Sequence, residues 1–212
     1  MAVEWDSLCA ATVAATVSAW EAEMGRAAPL AASLRAAGQW RTGPTTWLGV
    51  LGRQRHEMTH SRLLGWLCDP LGQHGLGDRF LRRLLAEVGY AAPDEAAEAT
   101  VALEVVGPSA RTRADIVIIL PAGTVVIENK IDAQESPFQC LLLAEDHPPP
   151  AHLVLLSPNK ERPRSAGPSE HRWTTIRWRQ IARVAEELAQ DASGPATHIV
   201  VEYATTLRRH FP

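Results

Sequence analysis

Two short apolar runs, RADIVIIL (113–120) and TVVIENK (124–130), stand on either side of Pro121-Ala122-Gly123. Both are rich in Val and Ile and the residues between them form a turn, so the pair reads as a hairpin of strands buried on both faces. That hairpin commits the chain to an interior sheet. It also sets a problem, because each strand carries charge where a core strand usually has none. Side chains alternate along a strand, so Glu128 and Lys130 project to one side and Asn129 to the other. Pairing across the turn brings Asp115, near the start of the first strand, beside Glu128 to Lys130 at the end of the second. Two carboxylates and an ammonium then converge.

Carboxylates a few ångströms apart repel each other and gain from a cation between them. Hard oxygen donors that leave room for water suit Mg²⁺ or Mn²⁺. Such an ion polarises a phosphodiester and lowers the pKa of a water, while a lysine supplies a point charge to the developing phosphorane. The alternative is structural: Glu128 and Lys130 form a surface ion pair on an edge strand, and Asp115 is a strand-start turn residue.

The rest of the chain surrounds this hairpin with helices. Residues 1–43 are rich in alanine, with Leu8, Val13, Val17, Trp20 and Met24 at helical spacing, and read as a helical arm that packs on the body or on a second subunit. In the domain expected over 44–212, Thr45 or Thr46 caps one helix running from Trp47 to Leu67, ended by Asp69-Pro70. Asp78 caps a second, Phe80 to Val88. VALEVVG precedes the hairpin as a further strand. Then come a helix from about Ser136 to Glu145, the strand HLVLLSP, a mobile polar loop NKERPRSAGPSEH, the strand WTTIRW, and helices over 180–189 and 197–211. The order predicts an α/β fold, a central mixed sheet of four to five strands flanked by helices.

Asp115, with Glu128-Asn129-Lys130 at the end of the neighbouring strand, resembles the PD-(D/E)xK nuclease superfamily, the restriction-endonuclease-like fold. Gln139 falls where many members carry the glutamine of a Q-x-x-x-Y helix, with Leu143 at the tyrosine position; Ala114 replaces the proline of the namesake motif. Upstream, EMTHSRLLGWLCDPLGQHGLGDRFL is similar to a bacterial subfamily reading E-x-x-H-S, then W-L-x-D-P, then H-G-x-G-D-x-F. The likeness covers about residues 44–205 and leaves the arm unexplained. It implies a hydrolase cutting DNA, or else RNA, by metal-activated water in defence or DNA processing. Asp115, Glu128 and Glu57 would hold Mg²⁺ or Mn²⁺, Lys130 would assist the nucleophile, and Gln139 would orient the site. It also implies a homodimer and, with no recognition domain in view, a targeting partner protein. The competing class is the same fold kept as an inactive module that binds nucleic acid or protein.

A third reading comes from Arg55-His56-Glu57-Met58-Thr59-His60, which spells the H-E-x-x-H of zinc peptidases. His56 and His60 would share a helix face, but Leu63 and Trp66 stand where the extended motif has glycine and histidine, and Arg53, Arg55 and Arg62 crowd the spot with cations. His60 and Ser61 are candidate phosphate contacts, as are Arg111 and Arg113 just before Asp115. The net charge of -3 excludes binding of nucleic acid by overall charge. A positive groove therefore has to come from clusters, with Arg162, Arg164, Arg172, Arg177 and Arg179 as further contributors. The seven tryptophans are expected in the core, with Trp173 and Trp178 the two to watch for base stacking. Cys9, Cys68 and Cys140 lie far apart, and no apolar run reaches the roughly 20 residues of a membrane span, which suits a cytoplasmic protein.

Overall fold

Val- and Ile-rich segments make a meander of β1 (Thr100–Val106), β2 (Arg113–Leu120) and β3 (Gly123–Asn129) in the computed structural model, which describes residues 2–39 and 43–211, with the backbone alone over 2–11. The hairpin closes through Pro121-Ala122, with Leu120 paired to Gly123, and its register runs through Ile116 opposite Ile127. Two more strands, β4 (His152–Ser157) and β5 (Trp173–Arg177), add to β3 in parallel, giving one five-stranded sheet in the order β1-β2-β3-β4-β5. The strand that carries Glu128 is therefore the middle of the sheet.

The chain divides into two units, 1–44 and 45–212. In the first, α1 (Ala2–Ala36) is a single helix through Gly25 and Pro29. It ends where Gly38 turns left-handed at φ +66° and Gln39 N donates back to Leu34 O, a closure that only glycine makes without strain. Val13, Val17, Trp20 and Met24 on it are exposed.

In the second unit the helix expected from Trp47 to Leu67 is two helices, α2 (Trp47–Val50) and α3 (Glu57–Cys68). Thr46 caps the first through Gly49 N, and Gly52 then adopts φ +65° while Arg53 N bonds to Leu48 O at 2.8 Å, which stops the helix. His56 restarts it, its ring accepting from Thr59 N, and so makes Glu57 the first residue of α3. Next come α4 (Arg79–Glu87), α5 (Gln139–Asp146), α6 (Trp178–Ala189) and α7 (Thr197–His210). Asp78 sits at the cap position of α4, but its carboxylate pairs with Arg82 at 2.6 Å and makes no cap bond. α5 starts at Gln139 and not near Ser136, because Pro137 and a left-handed Phe138, φ +62°, interrupt the backbone. Trp178 opens α6 where it was expected to close a strand.

Alternation splits the core in two. Ile116, Ile118, Val125, Ile127, Val154 and Leu156 face the large layer under α3, α4, α6 and α7. Val117, Val126, Leu153 and Leu155 face the smaller layer under α5, beside Cys140, Leu143 and Ala144. Among the described residues no helix is long and apolar enough to cross a membrane.

Candidate active site

Continuing the β2–β3 register one residue past Ile116 and Ile127 sets Asp115 across from Glu128, on the α5 side of the sheet. Glu128 is 1% exposed, which rules out a surface ion pair on an edge. Its Oε1 accepts from Lys130 Nζ at 2.7 Å and from Gln139 Nε2, while its Oε2 is buried with no hydrogen-bond partner. Asp115 Oδ2 accepts from Asn129 N at 2.7 Å. Burial is the main reason both acids bind a proton more tightly than usual: Asp115 is pushed up to about 6 and Glu128 to about 8, the second also by the charge of Asp115. Lys130 is half-buried too. Burial alone would lower it, but Glu128 beside it wins and raises it.

Each group is positioned by a different element. Lys130 follows β3, and its backbone extends the parallel pairing through Lys130 N to Leu156 O at 2.8 Å. Gln139, first residue of α5, holds Glu128 with its amide and accepts from Ser136 N at 3.1 Å with its carbonyl. Glu57, first residue of α3, arrives from the opposite layer; its Oε2 accepts from Ile131 N at 3.1 Å and its Oε1 lies 4.0 Å from Lys130 Nζ. Glu57, Asp115, Glu128, Lys130 and Gln139 all line one open cleft of about 360 Å³, with Arg111 and Arg113 on its rim.

His60 and Ser61 are not at that surface. His60 is fully buried, its Nε2 bonded to Gln54 O at 3.0 Å and its Nδ1 to Tyr203 OH at 3.2 Å, and burial lowers it to about 4. Ser61 bonds to Glu57 O and receives Asn129 Nδ2 at 2.7 Å. The substrate contacts expected of both give way to a scaffold that ties the start of α3 to the end of β3. Asn129 itself, fully buried, escaped sequence reading, although the alternation that turned it away from Glu128 already pointed it toward α3. Trp173 and Trp178 are buried as well, with Trp178 Nε1 donating to Lys130 O at 3.0 Å, so neither stacks on a base. Conversely, Trp20 and Trp47 are exposed and lie outside the core.

The zinc arrangement is absent for the same reasons: His56 spends its ring on Thr59 as a helix cap and His60 faces the core. A His56→Ala variant is therefore expected to lose about 1 kcal/mol of stability through the cap and nothing in bound metal. Thermal melting with metal analysis of the purified protein checks both; stoichiometric zinc lost on substitution would overturn the assignment.

Of the arginines, Arg111 pairs with Glu145, Arg113 with Glu104, Arg162 with Glu170 and Arg164 with Glu161, and Arg172 serves backbone carbonyls of Ala144 and His147. Lys160, Arg177, Arg179 and Arg183 share a second cleft of about 400 Å³. Arg177 lies at the end of β5, opposite Ser157 of β4, so it is two strands, about 10 Å, from the Glu128 strand along the same sheet edge.

A divalent cation fits the donors present. Among the described residues no three His, Cys, Asp or Glu side chains form a complete metal cage. Asp115 and Glu128 nevertheless offer two carboxylates with raised affinity for positive charge, and the buried Glu128 Oε2 has no other partner. Mg²⁺ commonly takes one or two carboxylates and keeps several waters.

Over residues 47–205 the chain matches the PD-(D/E)XK nuclease superfamily. No curated protein and no solved structure matches it. The chain belongs to the PD-(D/E)XK nuclease superfamily, with the α/β restriction-endonuclease-like fold and a nuclease type of function. Members typically use divalent metals.

Proposed function

We propose that this chain is a Mg²⁺- or Mn²⁺-dependent deoxyribonuclease that hydrolyses phosphodiester bonds by direct attack of water. The observation that carries the reading is Glu128: a carboxylate in the central strand, 1% exposed, with one oxygen unpartnered and a second acid across from it. Such an arrangement costs stability, and groups of this kind cluster at functional sites. Asp115 and Glu128 would hold the cation, with Glu57 at the rim. Bound there, the ion would supply Lewis-acid polarisation of the phosphodiester and a water of lowered pKa.

The chain's own groups do the rest. Lys130 presents its ammonium at the mouth of the cleft, where it stabilises charge growing on the phosphoryl oxygens. Gln139 fixes the rotamer of Glu128. Glu57 anchors Ile131 and so sets where Lys130 points. Lys160, Arg177 and Arg179, which form no ion pair with a carboxylate among the described residues, supply the local positive field that the net charge of -3 conceals, and favour a nucleic-acid backbone passing along this edge. Residues 44–212 would be the nuclease domain. The exposed apolar face of α1 is the surface we propose for a homodimer contact. Defence against foreign DNA or DNA processing is the setting we propose, by analogy with the superfamily.

The test is cleavage of plasmid and single-stranded DNA with Mg²⁺, with Mn²⁺ and with EDTA, beside Lys130→Ala. Cleavage is expected with metal only, and reduced on the order of a hundred-fold or more in the variant. Cleavage persisting in EDTA sinks the mechanism; binding without cleavage on every substrate favours the inactive module.

A further inference from the structure

Beside the cleft lies a larger cavity of about 690 Å³, and the two share Lys130, Ser136 and Pro137 as a common wall. Nothing in the mechanism above uses it. Its lining mixes apolar surface from Pro137, Leu141 and Leu155 with polar and charged side chains such as Gln134, Glu135, Asn159 and Arg164, so it offers both a surface for a flat apolar face and partners for a polar edge. At the lip stands Phe138, 64% exposed and held at φ +62°, a left-handed conformation unfavourable for a non-glycine residue. An aromatic ring kept exposed on a strained backbone, directly before Gln139, which positions Glu128, calls for a partner.

The cavity is also preformed. Burial alone would raise Glu135, but its bonds from Ser165 and Arg164 N outweigh that and lower it. Those bonds, 2.8 Å from Ser165 N and 3.0 Å from Arg164 N, clasp the loop after β4 to the segment before α5. Ser165 Oγ in turn receives Cys140 N at 3.0 Å. The loop expected to be mobile is thus tied down on the side that walls the cavity.

We infer that this cavity takes a nucleobase of the substrate strand adjacent to the scissile phosphate, with Phe138 stacking on its face and the polar side chains of the wall, among them Gln134 and Asn159, serving its polar edge. The inference rests on the nuclease reading and deepens it. A base in a duplex has both faces covered by its neighbours, so occupancy requires an unpaired or extruded nucleotide. The substrate is then single-stranded DNA or a duplex with a frayed, bulged or mismatched position.

The experiment follows binding, in EDTA, of the full chain to single-stranded oligodeoxynucleotides carrying one 2-aminopurine, walked along the sequence, by fluorescence and anisotropy. Abasic strands and fully paired duplex serve as comparisons. One position is expected to change fluorescence on binding. Phe138→Ala should remove that change and weaken binding by about 5- to 150-fold, Phe138→Trp should restore it, and an abasic site at that position should make wild type and Phe138→Ala bind alike. If Phe138→Ala binds intact single strands as tightly as wild type, or no position responds, the pocket assignment falls. Metal-dependent cleavage by wild type in the same series would leave the nuclease reading standing; no binding and no cleavage of any nucleic acid would remove both.

Discussion

Glu128→Gln is expected to abolish cleavage, by on the order of a thousand-fold or more, while making the metal-free protein more stable at pH 8 than wild type. The two effects share one cause. In the folded chain Glu128 holds its proton up to about 8, against an ordinary value of 4.5, because the central strand removes it from water. Between those values the folded state binds more protons than the unfolded one, so this group's contribution to stability falls as pH rises from 4.5 to about 8. Asp115 acts in the same direction up to about 6. His60 acts in the opposite one: lowered to about 4, it makes stability rise with pH up to 6.5. The window from 6.5 to 8 therefore isolates Glu128. In EDTA, the melting temperature of wild type should drop across that window, and that of Glu128→Gln should drop less. Added Mg²⁺ should raise the wild-type melting temperature more at pH 8 than at pH 6, because protons and metal compete for one carboxylate. Equal slopes for the two proteins in EDTA would show that Glu128 is ionised throughout, and would remove the argument for its electrostatic strain.

How much of this could be read from the chain depended on the range of the interactions. The convergence of Asp115 with Glu128-Asn129-Lys130 in the candidate site was legible because strand alternation and a short hairpin turn are local rules, and they fix which side chains meet. The same rules gave the five strands. What failed was set by backbone choices that propensity does not price. His56 is not a preferred cap residue, and a left-handed Phe138 is not a preferred helix start, yet these two place Glu57 and Gln139 at the first positions of α3 and α5. His60 and Ser61 looked like site residues because they neighbour Glu57 in sequence. One turn along α3 carries them inside, toward Tyr203 and Asn129, partners that lie 143 and 68 residues away and leave no trace in a local pattern. The basic cluster was half legible: the arginines were visible, but which of them are neutralised by Glu104, Glu145, Glu161 and Glu170 is a fact of tertiary structure.

Trp178→Ala should be the most damaging single change in the core, destabilising by about 3–5 kcal/mol, or roughly 6–20 °C in melting temperature for a domain of this size. The ring is fully buried, stacks on Phe211 with centroids 5.9 Å apart and lies 5.3 Å from His60, so alanine leaves a cavity between these two rings. Its indole N–H also bonds to Lys130 O at 3.0 Å, just past the end of β3. Trp178→Phe separates the two roles. It keeps most of the packing and strands the Lys130 carbonyl, an effect of about 1–3 kcal/mol. Because Lys130 is held on one side by that bond and on the other by Glu57 through Ile131 N, loosening it should displace the ammonium from Glu128 and lower cleavage more than substrate binding. Denaturant melts together with kcat and KM measured separately decide the matter. A Trp178→Phe protein that loses stability but keeps its kcat would make the indole a purely structural anchor, and would show that Glu57 and Glu128 suffice to place Lys130.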